Sequence, residues 1–336
     1  MARAARKANG TSGRREATED GGRDRGSGRP MTFERILVTG GSGLIGRSTV
    51  RELVDSGASV TVLDRDRGDG AFDARVHVIE GDVTDPGTIR RAVRDQDAVV
   101  HLAGIPGPRI ADDVTTYAVN TVGTYAVLSI AAECGVDKAV YASSINATGL
   151  PLNDRPLLPE RYPFSESTIE DFTDAYSLSK KANEHAAAQI GSRTAMNITG
   201  IRFPLVRDIT LDGGRRFAEH LDLLMRDDPR RAACEGWTYL DVADAARAVA
   251  AALARDTPAA PGILVTAPRT YLRDDTERAL ARYAPGVERS LVPGRNVPVD
   301  LRRCRDLLRF EASTLLDDVA PEALITIDDY EDLQQW

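Results

Sequence analysis

The 336 residues suffice for one large domain or for a main domain with a smaller lobe, and 42% hydrophobic with 28% charged residues is typical of a globular protein. The formal net charge of −8 disfavours non-specific binding to nucleic acid and docking on anionic membranes. Because no run of about 18 apolar residues occurs, we expect no membrane span and a cytoplasmic protein.

The first thirty residues differ from the rest in charge and composition. They hold eight Lys/Arg, four Asp/Glu and six Gly, whereas the remainder holds 35 basic and 47 acidic residues. A segment with so few large apolar side chains cannot bury enough surface to offset the entropy of ordering. We therefore predict a disordered tail at residues 1–30.

Cysteine and histidine positions give no sign of a metal site. The three cysteines (Cys134, Cys234 and Cys304) and the four histidines lack the spacing of a ligand set or of a disulfide framework. We expect no metal, and thiols that are free and buried or half-buried.

After the tail, short apolar runs alternate with segments of helical spacing. The predicted strands are residues 35–39, 59–63, 76–79, 98–102 and 138–143. Helices are predicted from Ile45 to a stop at Gly57, over 84–93 and over 114–134. This alternation is typical of an α/β protein with a doubly wound parallel sheet that is covered on both faces.

The second half of the chain is less regular. A loop at 149–173 precedes a helix over 175–190 and a strand over 197–203. Further helices are predicted over 243–253, 274–283 and 301–308, and a further strand over 262–267. We therefore divide the chain into a main domain at 31–205 and a smaller C-terminal substrate lobe at 206–336, from which a strand and a helix return to the main domain.

A glycine-rich turn joins the first strand to the first helix. Residues 39–46 read T-G-G-S-G-L-I-G and fit the dinucleotide fingerprint in two registers, with Gly41 or Gly40 as the first glycine before Gly43 and Gly46. Glycines let the backbone approach a pyrophosphate, whose charge is favourable at a helix N-terminus. We predict that this Rossmann-type turn, including Leu44 and Ile45, binds a dinucleotide.

The end of the second strand bears on the choice of cofactor. Asp64 follows the glycines by about twenty residues, where a carboxylate accepts hydrogen bonds from ribose hydroxyls and repels a 2′-phosphate. This favours NAD over NADP. Arg65 and Arg67 argue in part for the other choice, since arginines pair with a 2′-phosphate; we include Arg65 among the cofactor-binding residues.

Tyr176 and Lys180 lie four residues apart on a predicted helix, and so share one face. A free tyrosine has a pKa of about 10 and is a poor base at neutral pH, whereas a nearby ammonium favours the phenolate. We predict that Lys180 lowers the pKa of Tyr176, so that Tyr176 takes a proton from a substrate hydroxyl while a hydride leaves the same carbon.

At this point the sequence resembles the extended short-chain dehydrogenase/reductase family, in its NAD-dependent epimerase/dehydratase group. The resemblance covers nearly all of residues 33–310. The matching motifs are the glycine turn at 39–46, Asp64, G-D-V at 81–83, H-L-A-G at 101–104, Asn120, Y-A-S-S at 141–144, Y-S-L-S-K at 176–180 and R-F-P at 202–204.

The resemblance implies roles for single residues. Ser144 would hydrogen-bond the reacting oxygen, with Ser143 as the alternative, and Lys180 would also bind the nicotinamide ribose. Asn120 would brace the active-site region and is included among the cofactor-binding residues, and His101 would be a structural strand-end residue. The remaining cofactor contacts implied are Asp82 and Val83 at the adenine, Leu102, Ala103 and Gly104 beside the fourth strand, and Phe203 and Pro204 at the nicotinamide. A homodimer through the two long helices is also implied.

Three departures from the family pattern concern the substrate. Leu205 stands where many nucleotide-sugar epimerases have asparagine, the usual V-Y-G after the serines is N-A-T-G starting at Asn146, and the C-terminal lobe is short. In that lobe Arg230 or Arg231 could pair with a carboxylate or phosphate, or both could be a solvated basic pair. The predicted substrate contacts are Ser144, Asn146, Leu205 and Arg231.

Three functions follow as hypotheses. The first is a sugar epimerase or dehydratase resembling UDP-glucose 4-epimerase, with catalytic residues Ser144, Tyr176 and Lys180 and with NAD as cofactor. The second is a dehydrogenase of a free sugar or sugar acid, similar to the uronate dehydrogenases, which releases NADH. The third is a non-catalytic NAD sensor, which has no need of a hydride-transfer base. In each case the expected partner is a small molecule, a sugar in the first two.

Overall fold

The computed structural model describes residues 33–68, 72–255 and 259–330, and the tail predicted at 1–30 lies outside these ranges. Within them the chain alternates between strands and helices. The strands are β1 (Arg35–Thr39), β2 (Ser59–Asp64), β3 (His77–Glu80), β4 (Ala98–His101), β5 (Lys138–Ser144), β6 (Arg161–Tyr162), β7 (Asn197–Phe203), β8 (Leu205–Arg207), β9 (Tyr239–Asp241), β10 (Ala260–Leu264) and β11 (Glu288–Arg289). The α-helices are α1 (Leu44–Asp55), α2 (Pro86–Val93), α3 (Asp113–Glu133), α4 (Ala175–Arg193), α5 (Arg215–Asp227), α6 (Pro229–Cys234), α7 (Val242–Ala254), α8 (Thr276–Tyr283) and α9 (Leu316–Val319).

Seven of the described strands form one parallel sheet in the order β10-β7-β5-β4-β1-β2-β3. The chain starts in the middle of the sheet, winds outward to β3, and then returns past β1 to build the other half. The predicted doubly wound α/β fold is therefore confirmed. A crevice forms where the winding reverses, beside the carboxyl ends of β1 and β4, and in such sheets this crevice is the usual ligand site.

The sheet is buried on both faces because its strands carry apolar residues at successive positions. In β1, Ile36 and Val38 pack toward α1 and α7, whereas Leu37 packs toward α2 and α3 on the opposite face. Side chains of a strand alternate between the two faces, so a continuous apolar run needs a cover of helices on each side.

Helix α1 starts without the side-chain cap that α2, α3 and α4 have. Aspartates cap α2, α3 and α4, and Asp174 accepts the Ser177 amide at 2.7 Å at the start of α4. At α1 the N-cap is Gly43, which has no side chain to accept the first amides. Those amides are available to an anion, because a helix start leaves four N–H groups without partners inside the helix.

The C-terminal part surrounds a separate apolar cluster that includes Trp237, Tyr239 and Tyr271, all fully buried. Helices α5 and α6, which the sequence analysis missed, pack there. The helix predicted over 301–308 is present at residues 302–308, but its larger part, Cys304–Leu308, is π-helical. Strand β10 returns to the main sheet beside β7. The described residues of the segment 31–336 fall in one compact unit. The domain division at 205 therefore stays a prediction.

The cysteines are free in the described structure, but Cys134 is exposed at the end of α3, against our expectation of a buried or half-buried thiol. Cys234 and Cys304 are buried. In the described ranges no set of three or more His, Cys, Asp or Glu is placed to hold a metal ion. No helix that the structure describes is long and apolar enough to cross a bilayer.

Candidate active site

A cavity of about 630 Å³ opens at the carboxyl ends of the central strands. It runs from the glycine turn and Asp64 at one end to Ser144, Tyr176 and Lys180 at the other. The lining includes every residue that the sequence predicted as a cofactor contact except Asn120: Gly40, Gly43, Leu44, Ile45, Gly46, Asp64, Arg65, Asp82, Val83, Leu102, Ala103, Gly104, Tyr176, Lys180, Phe203 and Pro204. Motifs that lie far apart in the sequence thus line one cavity.

The glycine turn is too tightly packed for larger residues. Gly40 has φ +71°, and a Cβ there would lie 2.5 Å from the Ala103 amide nitrogen. A Cβ on Gly46 would fall inside the radius of the Gly40 carbonyl oxygen. Gly41 instead packs against Val62 and does not line the cavity, which favours the register Gly40/Gly43/Gly46.

Asp64 is fixed at the rim of this cavity by two backbone amides. Its Oδ2 accepts the Ser42 amide at 2.9 Å and its Oδ1 accepts the Arg65 amide at 2.8 Å. Each carboxylate oxygen has lone pairs left for a further donor. Asp82, across the cavity, is held in turn because its Oδ1 accepts from both the amide and the hydroxyl of Thr84 at 2.8 Å.

Asn120 supports the cavity wall from behind. Its Oδ1 accepts the Ile105 amide at 2.8 Å, and its Nδ2 donates to the Ile105 carbonyl at 3.2 Å and to Ser179 Oγ at 3.0 Å. The side chain therefore ties α3 and α4 to the loop after β4. This is the bracing position that the family resemblance implies. Asn120 does not line the cavity, and its contact with the cofactor stays a prediction.

His101 has the structural role that we expected. Its Nδ1 lies 2.7 Å from Thr39 Oγ1 and its Nε2 lies 3.1 Å from Thr124 Oγ1. The pKa of His101 is lowered to about 3, mainly by complete burial and to a smaller extent by the positive charge of Lys180. The imidazole is therefore neutral and joins β1 and β4 to α3.

The predicted catalytic side chains converge at the inner end of the cavity. Ser144, Tyr176 and Lys180 are all buried, and the Ser144 side chain acts to lower the pKa of the Tyr176 hydroxyl. Lys180 Nζ lies 5.7 Å from the centre of the Tyr176 ring and donates to the Ala142 carbonyl at 3.0 Å. One turn of α4 thus places an ammonium beside a phenol, with a serine facing the phenol from β5.

The pKa shifts of Tyr176 and Lys180 are governed by burial and not by the closeness of the two groups alone. Burial raises the pKa of Tyr176 more than the hydrogen bond from Ser144 lowers it, and Lys180 does not figure among the main influences. Burial also lowers the pKa of Lys180 to about 8, although Glu184 opposes that shift. The net direction for the pKa of Tyr176 is thus upward, because desolvation outweighs the groups that favour the phenolate, and the Lys180 ammonium donates to a carbonyl; the lowering by Lys180 stays a prediction.

The neighbouring serine turns the other way. Ser143 Oγ donates to Glu184 Oε1 at 2.6 Å, and the same carboxylate pairs with Arg202 at 2.7 Å. Adjacent strand residues point to opposite faces of a sheet, so only one serine can face Tyr176. This geometry supports Ser144 over Ser143 for the catalytic role.

The predicted substrate contacts are scattered. Asn146 is buried and donates to Ser144 Oγ at 3.3 Å, and Leu205 packs half-buried against the C-terminal cluster without lining the cavity. Arg231 lines a second cavity of about 560 Å³ and pairs with Glu235 at 2.9 Å. Only Ser144 of the four lies on the first cavity.

Arg230 has neither of the two roles that we considered, contact with a ligand anion or a solvated basic pair with Arg231. It is 5% exposed, and its guanidinium donates to the carbonyls of Leu150, Pro151, Asn153 and Leu157. The side chain fixes the loop that precedes α4 to α6. Its terminal nitrogens already donate to these carbonyls, and the residue borders the second cavity together with Arg231.

Arg207 and His220 are two of the cavity residues that sequence reasoning missed. Arg207 lines the first cavity at the end of β8, and His220 of α5 lines the second. The available signal was weak: Arg207 stands five residues after Arg202 of the R-F-P motif, and α5 shows an apolar spacing at Phe217, Leu221 and Met225 that predicts a helix.

Comparison with known families gives a match over residues 36–207, to the model of the NAD dependent epimerase/dehydratase family. This segment runs from β1 to the end of β8 and contains the glycine turn, Asp64, Ser144, Tyr176 and Lys180.

Curated relatives share the same part of the chain. UDP-glucose 4-epimerase of Azospirillum brasilense is 29% identical over 175 residues, which is 50% of this chain and 48% of that protein. The human UDP-glucose 4-epimerase is 34% identical over 137 residues, 35% of this chain and 39% of that one. A putative dihydroflavonol 4-reductase of Synechocystis is 30% identical over 154 residues, with 45% and 43% covered. The chain thus matches about half or less of the length of these relatives.

Solved structures match over more of the chain. A short-chain dehydrogenase/reductase superfamily protein of Agrobacterium tumefaciens with bound NAD has a TM-score of 0.63 at 24% identity, covering 86% of this chain and 96% of that one. UDP-glucose 4-epimerase of Thermotoga maritima with UDP-glucose has a TM-score of 0.63 at 19% identity, covering 86% and 97%. At these identities the likeness establishes the fold.

Proposed function

The chain belongs to the NAD-dependent epimerase/dehydratase family, and on that premise we propose that it binds NAD and transfers a hydride to and from a hydroxyl-bearing carbon of a sugar. The observation that carries the proposal is a single one. The glycine turn, Asp64 and the side chains of Ser144, Tyr176 and Lys180 line the same cavity.

The residues present fit NAD. The turn at Gly40 and Gly46 leaves no room for a Cβ, and α1 begins without a side-chain cap, so its first amides are free to bind a pyrophosphate. At the rim Asp64 keeps lone pairs for ribose hydroxyls, and its negative charge disfavours a 2′-phosphate. At the inner end Phe203 and Pro204 supply apolar surface for the nicotinamide.

NAD bound in this way supplies the hydride acceptor and donor. Tyr176 takes the proton from the substrate hydroxyl, and Ser144, whose side chain acts to lower the pKa of the Tyr176 hydroxyl, holds the same oxygen. Tyr176 has to be in its phenolate form before it accepts this proton and becomes the phenol. The Lys180 ammonium, 5.7 Å from the ring centre, is the cation placed to oppose the desolvation that disfavours this phenolate. Because all three groups are buried, solvent competes little for the proton.

The relatives support an epimerase-type reaction on a nucleotide sugar, since several are UDP-glucose 4-epimerases. In such a reaction the hydride returns to the other face of the oxidised carbon and no NADH accumulates. One observation favours the second candidate, a dehydrogenase of a free sugar or sugar acid. Leu205 offers no polar group where many epimerases have asparagine, and it packs on the apolar cluster.

A panel assay separates these functions. The purified protein is incubated with NAD and with nucleotide sugars, free sugars and sugar acids, while NADH absorbance and product identity are followed. An epimer without NADH supports the epimerase, and stoichiometric NADH supports the dehydrogenase. Tight NAD binding with no turnover of any substrate contradicts both and leaves the NAD sensor.

A single substitution tests the assigned base. Tyr176→Phe is expected to abolish turnover, because the ring stays and the proton acceptor is lost, while the NAD dissociation constant changes little. Tyr330→Phe is the matched control, since that hydroxyl bonds Asp222 and lines neither cavity. Near-normal turnover in Tyr176→Phe would refute the role of this tyrosine.

We also propose a homodimer through α3 and α4. Val114, Val122 and Tyr125 on α3 and Leu178 on α4 are large apolar residues that stay exposed in the single chain. A patch of this kind is typical of an interface between subunits. Light scattering after gel filtration tests the proposal, and a monomer at micromolar concentration would contradict it. The cytoplasmic location stays a prediction.

A further inference from the structure

Arg207 carries a positive charge that no acidic side chain balances. It stands at the exposed end of β8, and its guanidinium donates to the carbonyl of its own neighbour, Val206, at 2.8 Å. Among the residues that the structure describes, no carboxylate forms an ion pair with it. Partial burial lowers the pKa of Arg207, and no acidic group opposes that shift. An arginine in this state is available to a ligand.

The position of Arg207 ties it to the reacting end of the cavity. It lines the same cavity as Ser144, Tyr176 and Pro204, and β8 follows Pro204 directly in the chain. The opposite end, with the N-terminus of α1, is where a pyrophosphate fits. The cofactor phosphates and Arg207 therefore occupy different ends of the cavity.

Two further basic groups lie near Arg207. His220 of α5 has its pKa lowered by burial first and then by the charges of Arg207 and Arg231. The charge of Arg231 also lowers the pKa of Tyr176, so Arg231 lies near the reacting end of the first cavity. Arg231 and His220 line the second cavity, which therefore adjoins that end. Since Glu235 neutralises Arg231, Arg207 is the uncompensated cation of the three.

We propose that Arg207 binds an oxyanion, a carboxylate or a phosphate, that the sugar substrate itself carries. The inference rests on the proposed function and narrows its substrate class to acidic sugars. A guanidinium presents paired N–H donors that match the two oxygens of such a group, and the paired contact is stronger than a bond between neutral groups. A neutral sugar leaves the charge of Arg207 unbalanced in the cavity.

The test compares acidic and neutral substrates in matched variants. Wild type, Arg207→Gln, Arg207→Lys and the control Arg94→Gln are assayed with glucose, glucuronate, glucose 6-phosphate and UDP-glucose. Arg94 is an exposed arginine after α2 that lines neither cavity. In Arg207→Gln we expect the ratio of acidic to neutral kcat/KM to fall about tenfold or more, in line with loss of a charged hydrogen bond. Arg207→Lys keeps part of the ratio and Arg94→Gln keeps all of it.

The affected substrate identifies the anion as a carboxylate, a phosphate monoester or a diphosphate. An unchanged ratio in Arg207→Gln overturns the proposal. So does a loss of NAD affinity as large as the loss of substrate preference, because the arginine then binds the cofactor.

A binding experiment separates this inference from the proposed function. Tyr176→Phe protein saturated with NAD, with and without Arg207→Gln, is titrated calorimetrically with glucuronate, glucose 6-phosphate and glucose. If wild type turns over none of the substrates but an acidic sugar binds and Arg207→Gln abolishes binding, the anion site stands and the proposed function fails. If turnover occurs and neither acidic binding nor the ratio depends on Arg207, the proposed function stands and the anion site fails.

Discussion

Replacing Glu184 by alanine is expected to destabilise the protein far more than loss of an ordinary surface charge. Glu184 is 4% and Arg202 3% exposed, and two hydrogen bonds of 2.7 Å join the carboxylate to the guanidinium. The same carboxylate accepts Ser143 Oγ at 2.6 Å. Glu184→Ala leaves the guanidinium buried with only one backbone acceptor, the Glu166 carbonyl at 3.1 Å.

The size of the effect follows from the burial of both partners. Removing one member of a buried ion pair costs about 3–5 kcal/mol of unfolding free energy, because the remaining charge has lost its counter-charge and stays out of water. The matched control is Glu133→Ala. Glu133 pairs with Arg90 at 2.9 Å, but both side chains are more than half exposed, so its loss costs about 0–1 kcal/mol.

Urea denaturation of both variants gives the free energies directly, provided that the denaturant slope stays unchanged. A double variant, Glu184→Leu with Arg202→Met, removes both charges and is expected to be more stable than Glu184→Ala, since no unpaired charge remains. A loss in Glu184→Ala no greater than in Glu133→Ala would refute the reasoning.

Three further outcomes follow from the site. Gly46→Ala puts a Cβ against the Gly40 carbonyl and is expected to weaken NAD binding at least tenfold in a fluorescence titration; undiminished affinity contradicts the packing argument. Asp64→Ala removes the charge that disfavours a 2′-phosphate, so the kcat/KM ratio of NAD to NADP falls, and an unaltered ratio argues against this role. The pKa of Lys180 is about 8 in the folded chain against an ordinary 10.5, so the unfolded chain binds more protons between these values. The unfolding free energy of wild type relative to Lys180→Met therefore rises with pH from about 8 to 10.5 and falls as pH drops through that window, and a flat difference in urea denaturation would show that the lysine is not desolvated.

The sequence predicted the strands of the sheet well because each strand is marked by an apolar run within the strand itself. Five runs of branched apolar residues gave β1 to β5 within two residues of their bounds, and the run at 197–203 gave β7 without error. The glycine turn left two registers open, and only packing decided between them. Gly41 faces Val62 of β2, a neighbour that the chain reaches some twenty residues later.

Properties that depend on burial by distant segments were not predictable. Four-residue spacing placed Tyr176 and Lys180 together, but the pKa of Tyr176 depends on how many atoms of other elements surround its hydroxyl. Arg230 and Arg231 are adjacent in sequence and line the same cavity, yet the guanidinium of Arg230 donates to carbonyls whereas that of Arg231 pairs with Glu235. Helix α5 was missed because charged residues interrupt its apolar residues, although the buried ones, Phe217, Leu221 and Met225, are four apart.

The contacts of Arg230 have an evolutionary consequence. Four carbonyls from an irregular stretch of chain, at Leu150, Pro151, Asn153 and Leu157, converge on one side chain from another element. A lysine has three donors without the planar fork and cannot reach all four together. Insertions or deletions at 150–157 and replacement of Arg230 should therefore be found together in homologues, so that the two features are inherited as a unit.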